Sequence, residues 1–560
     1  MNNEENNNII LSPKQLNKLK ENETNNNKFL INNKKTILKS IIMNKIKRLI
    51  FIFTLIYIFL YFFSRDIQLL KFRKLEQDFS EISITVGMSG KNEIIKNTKF
   101  PNVIYINDID VTSSIDSSLK YNFPSGETKI RLVWYNTKLT SCENMFYYLN
   151  HITKIDLSKF DSSKVTNLNG MFYQCQNLIE INLENFNTSL VTTMTQTFLG
   201  CNCLTSIDVS HFDTSKVVDM EQLFAYCWTI NYIDLSNLDA SKVTNMKNMF
   251  FECQQLTSIK LEKIKTNSLE TIVNMFKNCK ALKSIDLSYF DTSRVTNIIN
   301  LFDGCESLES INLQNFDSSN CMYTNWAFRG CSKLTSINLS SFNMSNVATM
   351  TGMFENCENL ENVIFNNSII LNSVTEMEYL FYGCKKLVSL DLFFIHTSHA
   401  TIMEYMFYNC ESLKYLNLLN FDTSSVTNMI SMFDGCSSLK YLNIHSFTEN
   451  INLDITNIFN NLSEDLIICI EDTSKIEQII SLLNEKNVLN DCSNLCFSEN
   501  AFYVIENNNC SGNCSTNGPY KYKYNQKCLN SCNKYYSYDQ NECLDSIPEG
   551  YYSNNSILKL

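Results

Sequence analysis

Apolar and polar positions along most of the chain follow a pattern that returns about every 26 residues. One copy is CKALKSIDLSYFDTSRVTNIINLF, residues 279–302, in which Ile285 and Leu287 are separated and flanked by polar residues. This period of two predicts a short strand with one buried face. The later apolar residues Ile298 and Phe302 fit one helical or 3₁₀ turn. Each unit is therefore predicted to add one strand to a parallel sheet and to close with a turn.

A cysteine column and a phenylalanine column mark the units. Each cysteine follows a phenylalanine by three residues, and every step is 26 residues except the 27 residues from Cys357 to Cys384. The ladder cysteines are Cys175, Cys201, Cys227, Cys253, Cys279, Cys305, Cys331, Cys357, Cys384, Cys410 and Cys436. A fixed period of this size is typical of solenoids built from stacked units. We expect an α/β repeat fold: a leucine-rich-repeat-like solenoid with one parallel strand per unit and a disulfide-rich C-terminal tail.

The regions outside the repeats are assigned from their composition. We expect a disordered, Asn-rich cytoplasmic segment (1–48), a signal anchor or signal-peptide core (49–63), a linker and irregular N-terminal region (64–127), the solenoid with its capping units (128–470), a C-terminal capping helix (471–490) and a cysteine-rich tail (491–560). The apolar run 49–63 is short for a spanning helix and long for a signal-peptide core. Basic residues precede it, which favours a cytoplasmic N-terminus. These features predict a single-pass plasma-membrane protein with extracellular repeats, or a secreted protein.

The ends of the solenoid carry their own signals. Residues 82–86 and 103–106 are predicted to be short strands, because apolar residues alternate or cluster there. Ser474 and Glu477 form a capping-box pattern, which predicts a helix with one apolar face over the open end of the core. In the tail, cysteine pairs recur every 18 residues, from Cys492 onward. Because that segment has few aliphatic residues, we expect disulfides to hold it, with pairings that the sequence does not choose.

The repeat closely resembles that of the BspA-like leucine-rich-repeat surface proteins, and is also similar to the DUF285 repeat. Residues 171–194, MFYQCQNLIEINLENFNTSLVTTM, show the motif, which recurs over about 145–462. The resemblance implies an extracellular solenoid that takes part in adhesion or in contact with host or matrix, and it brings no catalytic residues. The unit after Cys357 departs from the motif, because FNNSII from Phe365 replaces the usual LSxFDT. We expect a local bulge or kink there.

Two columns allow more than one interpretation. The ladder cysteines could be metal ligands, disulfides or buried free thiols. A straight column lacks the local cluster that a metal site needs, and Leu149 takes a cysteine's place, so we favour buried thiols. The aspartates of the D-T-S triplet could bind calcium or cap turns, and Lys265 in the same column favours turn capping. That column contains Asp161, Asp213, Asp239, Asp291, Asp317 and Asp422.

The outward face of the predicted strands is mostly serine and becomes aromatic towards the C-terminus. Tyr415 and Tyr441 replace serines of one outward column, and Phe393 and Leu419 replace serines of another. These four residues are candidates for binding a protein or glycan partner on a concave sheet, unless a glycan, the tail or a further domain covers them. Sequons that predict glycosylation are Asn187, Asn338, Asn343, Asn366, Asn461, Asn509, Asn513 and Asn554.

The net charge and the sequence motifs argue against several classes of function. The formal charge is -11 and the repeats lack a basic block, which argues against a nucleic-acid partner. The sequence has no nucleophile motif or phosphate-binding loop, and His396 with His399 lacks an evident third metal ligand. We expect a cell-surface or secreted binding protein for recognition or adhesion, without catalysis or cofactor. The alternative is a structural coat or matrix component that self-associates through the tail; a third hypothesis is an enzyme with its site in residues 76–127.

Overall fold

The computed structural model describes most of the chain beyond residue 78. The described residues are 43, 79–96, 99–366, 371–392, 394–464, 466–470, 472–483 and 488–489, with eight short strands between 502 and 559. By its packing the chain divides into residues 1–79 and 80–560, and the first unit is described only at Met43 and Phe79. The predicted disorder of residues 1–48 and the apolar run 49–63 lie outside the described residues.

The predicted plasma-membrane location is corrected by the structure. Among the residues described above, no helix combines the length and the apolar character that crossing a bilayer requires. Single-pass membrane anchoring is therefore not supported.

The region taken as a linker, 64–127, contains a folded β-structure in its described part. Its strands and the first strands that follow are β1 (Phe79–Val86), β2 (Gly90–Glu93), β3 (Val103–Ile106), β4 (Ile109–Asp110), β5 (Lys120–Phe123), β6 (Thr128–Tyr135), β7 (Ile152–Asp156) and β8 (Glu180–Asn182). One sheet has the order β4-β3-β6-β1-β7-β8, and β2 pairs with β5. Strand β1 is antiparallel to β7, whereas β7 and β8 are parallel in the register of the repeat. The first repeat strand is thus covered by a strand of the N-terminal region.

The solenoid strands recur once per repeat unit, and we call each repeat unit a coil. They are β9 (Tyr232–Asp234), β10 (Ser258–Lys260), β11 (Ser284–Asp286), β12 (Ser310–Asn312), β13 (Ser336–Leu339), β14 (Asn362–Phe365), β15 (Ser389–Asp391), β16 (Tyr415–Asn417), β17 (Tyr441–Asn443) and β18 (Ile467–Cys469). Ser284 pairs with Ser310 and Ile285 with Ile311, in parallel. The predicted strand and its buried face are confirmed, since Ile285 is buried while Ser284 and Asp286 are exposed.

The predicted helical turn is absent from the described coils, and the fold class is corrected from α/β to a β-solenoid with almost no helix. In its place, alternate N–H groups bond to the next coil: Asn300 N–H donates to Asn325 O at 3.0 Å, and Phe302 N–H to Ala327 O at 2.8 Å. Asn300 has a left-handed φ of 53°, which interrupts any helical run. So short a segment is also unstable as a helix by itself. Pairing with the neighbouring coil therefore decides its conformation.

The phenylalanine column forms a continuous stack in the core. Rings of neighbouring coils lie nearly parallel, with centroids 5.6 Å apart for Phe250 and Phe276 and 5.4 Å apart for Phe276 and Phe302. The stack also crosses the 27-residue step, where Phe354 and Phe381 are 5.3 Å apart with an angle of 4° between their planes. The extra residue of that coil therefore does not break the register of the phenylalanine stack.

The ladder cysteines are free and buried, as favoured from the sequence, and they also form hydrogen bonds. The thiol of Cys305 donates to the carbonyl of Phe276 in the preceding coil at 3.1 Å, and Cys279 donates to Phe250 at 3.2 Å. Burial raises the pKa of Cys175 and of Cys227 to about 12, so these thiols remain protonated donors at neutral pH. The column thus joins coils as well as filling space.

The D-T-S triplet lies at a turn of the coils that contain it, and its aspartates cap turns as the sequence indicated. Asp291 Oδ1 accepts from the N–H of Ser293 at 3.2 Å. The buried threonine beside it joins two coils, because Thr292 Oγ1 donates to the carbonyl of Asp317 at 2.8 Å. Within the described part of the chain, no group of three or more His, Cys, Asp or Glu side chains is placed to hold a metal ion.

The C-terminal end of the solenoid contains less helix than predicted. Among the described residues of 471–490, only Glu477–Ser481 is α-helical (α1), after a 3₁₀ turn at Thr473–Lys475, and β19 (Val488–Leu489) pairs with β18. Ser474 does not cap the helix. Instead the Glu449 carboxylate, 30 residues upstream, accepts from the N–H of Ile479 at 2.7 Å and from that of Gln478 at 3.1 Å. The cap is therefore a tertiary contact that a local motif could not reveal.

The tail contains short hairpin strands. They are β20 (Phe502–Val504), β21 (Asn509–Ser511), β22 (Tyr522–Tyr524), β23 (Lys527–Leu529), β24 (Tyr535–Ser537), β25 (Glu542–Leu544), β26 (Tyr552–Asn554) and β27 (Ile557–Lys559), in the sheet order β21-β20-β23-β22-β25-β24-β27-β26. The side chains of the tail cysteines lie outside the described part, so the disulfides of residues 491–560 stay a prediction.

Candidate binding faces of the solenoid

The strand face consists of the side chains that point outward from the parallel strands. At its C-terminal end, Tyr415 of β16 pairs in register with Tyr441 of β17, which pairs with Ile467 of β18. The two tyrosine rings stack with centroids 5.1 Å apart and planes 8° from parallel. Stacking explains why both are half-buried although they point outward. Together with the half-buried Leu419, these residues form what we call the strand-face patch.

The strand-face patch lies over side chains that are buried in the core. The inward residues Leu416, Leu442 and Ile468 of the same strands are fully buried. Leu419 follows a turn in which its N–H donates to Asn417 Oδ1 at 3.1 Å. Burial raises the pKa of Tyr415, so its hydroxyl stays neutral. Phe393, the fourth candidate, lies outside the described residues. The structure brings Tyr415 and Tyr441 together, and Leu419 follows β16 in the chain.

A serine-lined groove occupies the middle of the same face. It has a volume of about 360 Å³ and is lined by Ser258, Ser284, Ser310 and the neighbouring polar and isoleucine residues of β10 to β12. Small side chains leave the sheet surface shallow there. Tyr232 and Ile364 stand singly on the face, each 45% exposed. The strand face therefore combines one aromatic region with a long polar surface.

The candidate glycosylation asparagines differ in accessibility. Asn187, Asn338 and Asn461 are exposed, whereas Asn343 and Asn366 are half-buried. In Asn187 and Asn338 the Oδ1 atom accepts from the N–H two residues later, at 2.9 Å, while Asn461 Nδ2 donates to Asp434. The side chains of Asn509, Asn513 and Asn554 lie outside the described part. Glycosylation at all eight positions stays a prediction.

The sequence analysis missed a second aromatic site, on the segment that replaces the predicted helical turn. Four half-buried tyrosines from two neighbouring coils form what we call the turn-face cluster: Tyr379, Tyr382, Tyr405 and Tyr408. Tyr379 stacks on Tyr405 at 5.3 Å and Tyr382 on Tyr408 at 4.9 Å. The available signal was the sequence EYLFY at 378–382, which returns as EYMFY at 404–408. Only the turn conformation shows that these rings point outward together.

Comparison with models of protein families identifies the family of the chain. A model described as "BspA type Leucine rich repeat region (6 copies)" matches residues 66–194. A model described as "Mycoplasma protein of unknown function, DUF285" matches residues 140–264, 270–391 and 375–493, which is more than half of the 560 residues. The chain belongs to the BspA-like DUF285 family. The resemblance seen in the repeat sequence is thereby confirmed.

Other comparisons add little to this family assignment. No curated protein matches the DUF285 chain. A solved structure entitled "Crystal structure of TLR13-ssRNA13 complex" is 14% identical, and the match covers 57% of this chain and 62% of that chain with a TM-score of 0.16. So low a TM-score carries no argument about shape or ligand. Leucine-rich-repeat solenoids are typically binding proteins, which indicates a role in interaction or recognition.

Proposed function

We propose that this DUF285 chain is a recognition protein that binds a partner protein through the strand-face patch, without catalysis. The stacked pair Tyr415 and Tyr441 carries the proposal. Large aromatic side chains with a polar tip dominate many protein interfaces, because they bury much area and order few torsions. This pair is held by a parallel sheet whose inward side is fully buried, so little ordering is needed on binding.

The serine groove on β10 to β12, several coils away on the strand face, supports a partner that extends along the solenoid. An aromatic anchor at one end and a polar surface beyond it match the usual division of an interface into an apolar centre and a polar rim. The family's association with adhesion fits such a surface. A glycan partner would meet the same tyrosines, and the experiment below distinguishes the two.

The test compares wild type with the double variant Tyr415→Ser and Tyr441→Ser, which restores the residue type of other coils. Each purified chain is immobilised and exposed to proteins of its own source cells, before and after enzymatic removal of glycans. We expect quantitative mass spectrometry to find proteins that bind wild type and not the variant, with or without glycans. Loss of binding after glycan removal would point to a glycan ligand.

A matched control is Tyr289→Ser. Tyr289 is 48% exposed but lies outside the strand-face patch, so its replacement should leave binding unchanged. A folded double variant that retains every partner of wild type would overturn the proposal.

A further inference from the structure

Carboxylates surround the turn-face cluster. Tyr379 Oη donates to Glu404 Oε1 at 3.2 Å. Glu378 adjoins Tyr379 in the chain, and Glu355 occupies the position of Tyr382 in the preceding coil. Across the part of the chain that the structure describes, none of these three glutamates forms a salt bridge with Lys or Arg. Glu355 lies near Arg329, whereas Glu378 and Glu404 have no cationic partner there, so the tyrosines lie in a locally negative surface.

One carboxylate oxygen at this site has no hydrogen-bond donor. Glu378 Oε1 accepts from Thr351 Oγ1 at 3.1 Å, but Oε2 is buried and has no partner in the structure. Burial raises the pKa of Glu378, which is the usual effect of removing a carboxylate from water without a cation beside it. Burial also raises the pKa of Glu355, although the nearby Arg329 opposes that rise. An unsatisfied buried acceptor costs free energy, and a cationic donor from outside would recover it.

A second tyrosine cluster in the same molecule shows what such a surface accommodates. Tyr147 and Tyr173 occupy the same column as Tyr382 and Tyr408 and stack in the same way, with centroids 4.7 Å apart. There the ammonium group of Lys96 lies over the Tyr147 ring, 6.0 Å from its centroid. Within the described residues, no Lys or Arg lies over the four rings of the turn-face cluster. The N-terminal pair thus carries a cation from its own chain, and the C-terminal cluster does not.

The aromatic surface also extends towards the N-terminus from the cluster. Gly352 stands where Tyr379 stands one coil later, with a φ of 54°. A Cβ at Gly352 would lie 2.7 Å from Trp326 Cδ1 and 2.9 Å from Glu355 Oε2, so only glycine lets the indole and the carboxylate lie over this position. Arg329 lies over the same indole at 5.9 Å and is held by Asp303. The chain itself therefore places a guanidinium on this aromatic surface.

We propose that the turn-face cluster binds a basic segment of a partner protein, with Arg or Lys side chains over the tyrosine rings and against Glu355, Glu378 and Glu404. Cations are attracted to aromatic faces and to carboxylates, and the two attractions reinforce each other where water is partly excluded. The glutamates come from three successive coils, spaced about 4.8 Å apart. Several cations can bind at once, which suits an extended basic segment better than a single small amine. This surface is separate from the strand-face patch.

The experiment measures binding of a fluorescein-labelled peptide in which Arg alternates with Ser, by fluorescence anisotropy with the full chain. We expect the Tyr382→Leu and Tyr408→Leu double variant to weaken binding about tenfold, since each ring contact is worth a few-fold in affinity. Glu355→Gln with Glu404→Gln should weaken it by a similar factor and reduce its dependence on salt. The Tyr382→Phe and Tyr408→Phe double variant keeps both rings and should bind within about twofold of wild type.

Matched controls use the other surfaces of the chain. Tyr147→Leu with Tyr173→Leu, and Tyr415→Ser with Tyr441→Ser, should leave peptide affinity unchanged. Circular dichroism checks the fold of each variant, and if the leucine variant unfolds, the glutamine and phenylalanine variants decide the question. The proposal is overturned if the glutamine variant binds like wild type, if a peptide with Glu in place of Arg binds equally well, or if spermidine competes as strongly as the peptide.

Discussion

The inward and outward sides of the same turn segment differ in how much their residues vary. Phe276, Phe302 and Phe328 stack with nearly parallel rings in three successive coils, and a buried ladder cysteine follows each by three residues. The residue directly after each phenylalanine is Lys277, Asp303 or Arg329. Asp303 is buried and pairs with both neighbouring cations, at 2.8 Å from Lys277 and 2.8 Å from Arg329.

The difference indicates that the inward residues provide the stability of the solenoid, whereas the outward residues can provide its binding specificity. An inward residue packs against the coil before it and the coil after it, so a substitution disturbs the packing at two interfaces. An outward residue contacts solvent on one side and needs only a compatible neighbour. Both candidate binding surfaces, the strand-face patch and the turn-face cluster, are therefore departures from the repeat in outward columns.

The largest expected effect is unfolding at alkaline pH, because high pH favours ionisation of all the buried ladder cysteines. The folded thiols of Cys175 and Cys227 have a pKa raised to about 12, whereas an unfolded thiol titrates near about 8.5. The folded state therefore holds protons that the unfolded state has lost, and its stability, complete below about pH 8.5, falls as the pH rises towards about 12. Each such thiol contributes about 1.4 kcal/mol per pH unit in this range.

Far-ultraviolet circular dichroism against pH should show the solenoid unfolding cooperatively above about pH 9. Replacing one ladder cysteine, Cys305→Ala, should lower the number of protons released on unfolding by about one. Stability that stays constant from about pH 8 to pH 10 would show that ionisation of the thiols does not determine the stability of the fold.

Cys305→Asp tests the inward column with a single charge. It places a carboxylate against stacked phenylalanines with no cation beside it, and we expect the free energy of unfolding to fall by about 4 kcal/mol. Urea unfolding measures the change. Ser310→Asp, on the exposed side of β12, is the matched control and should change the stability by less than about 0.5 kcal/mol. Equal effects at the two positions would mean that the inward and outward sides do not differ as described.

Cys305→Ala removes the thiol without adding charge. The loss of the hydrogen bond to Phe276 and the small space left behind should lower the free energy of unfolding by about 1–2 kcal/mol. Cys305→Ser restores a donor at the same position. If serine and alanine are equally destabilising, the bond between the thiol and the carbonyl contributes nothing.

The smallest effect on stability is expected in the outward column. The Tyr415→Ser and Tyr441→Ser double variant loses one stacked pair on the strand face, which is worth about 1 kcal/mol or less. Thermal unfolding should therefore remain close to wild type while partner binding is lost. A variant that fails to fold would show that these rings belong to the core.

The columns that repeat were predictable from the sequence, and the contacts between coils were not. Alternation at Ile285 and the fixed register of Cys305 were enough to predict the strand and the buried thiols. The turn was misassigned because its conformation depends on hydrogen bonds from Phe302 to the next coil, which no single coil reveals. The helix cap by Glu449 and the outward grouping of Tyr379 with Tyr405 depend on tertiary placement in the same way.

The 27-residue coil has a consequence for how this array could have grown. Cys384 donates to the carbonyl of Phe354 at 3.1 Å just as its counterparts do in their coils, so the added residue leaves the inner ladder in phase. Recombination between two coils of one gene would add or remove a whole coil and join the same columns again. The array can thus change its length by copying whole coils without disturbing the inner columns. Recognition surfaces in such a lineage could diversify faster than the scaffold that carries them.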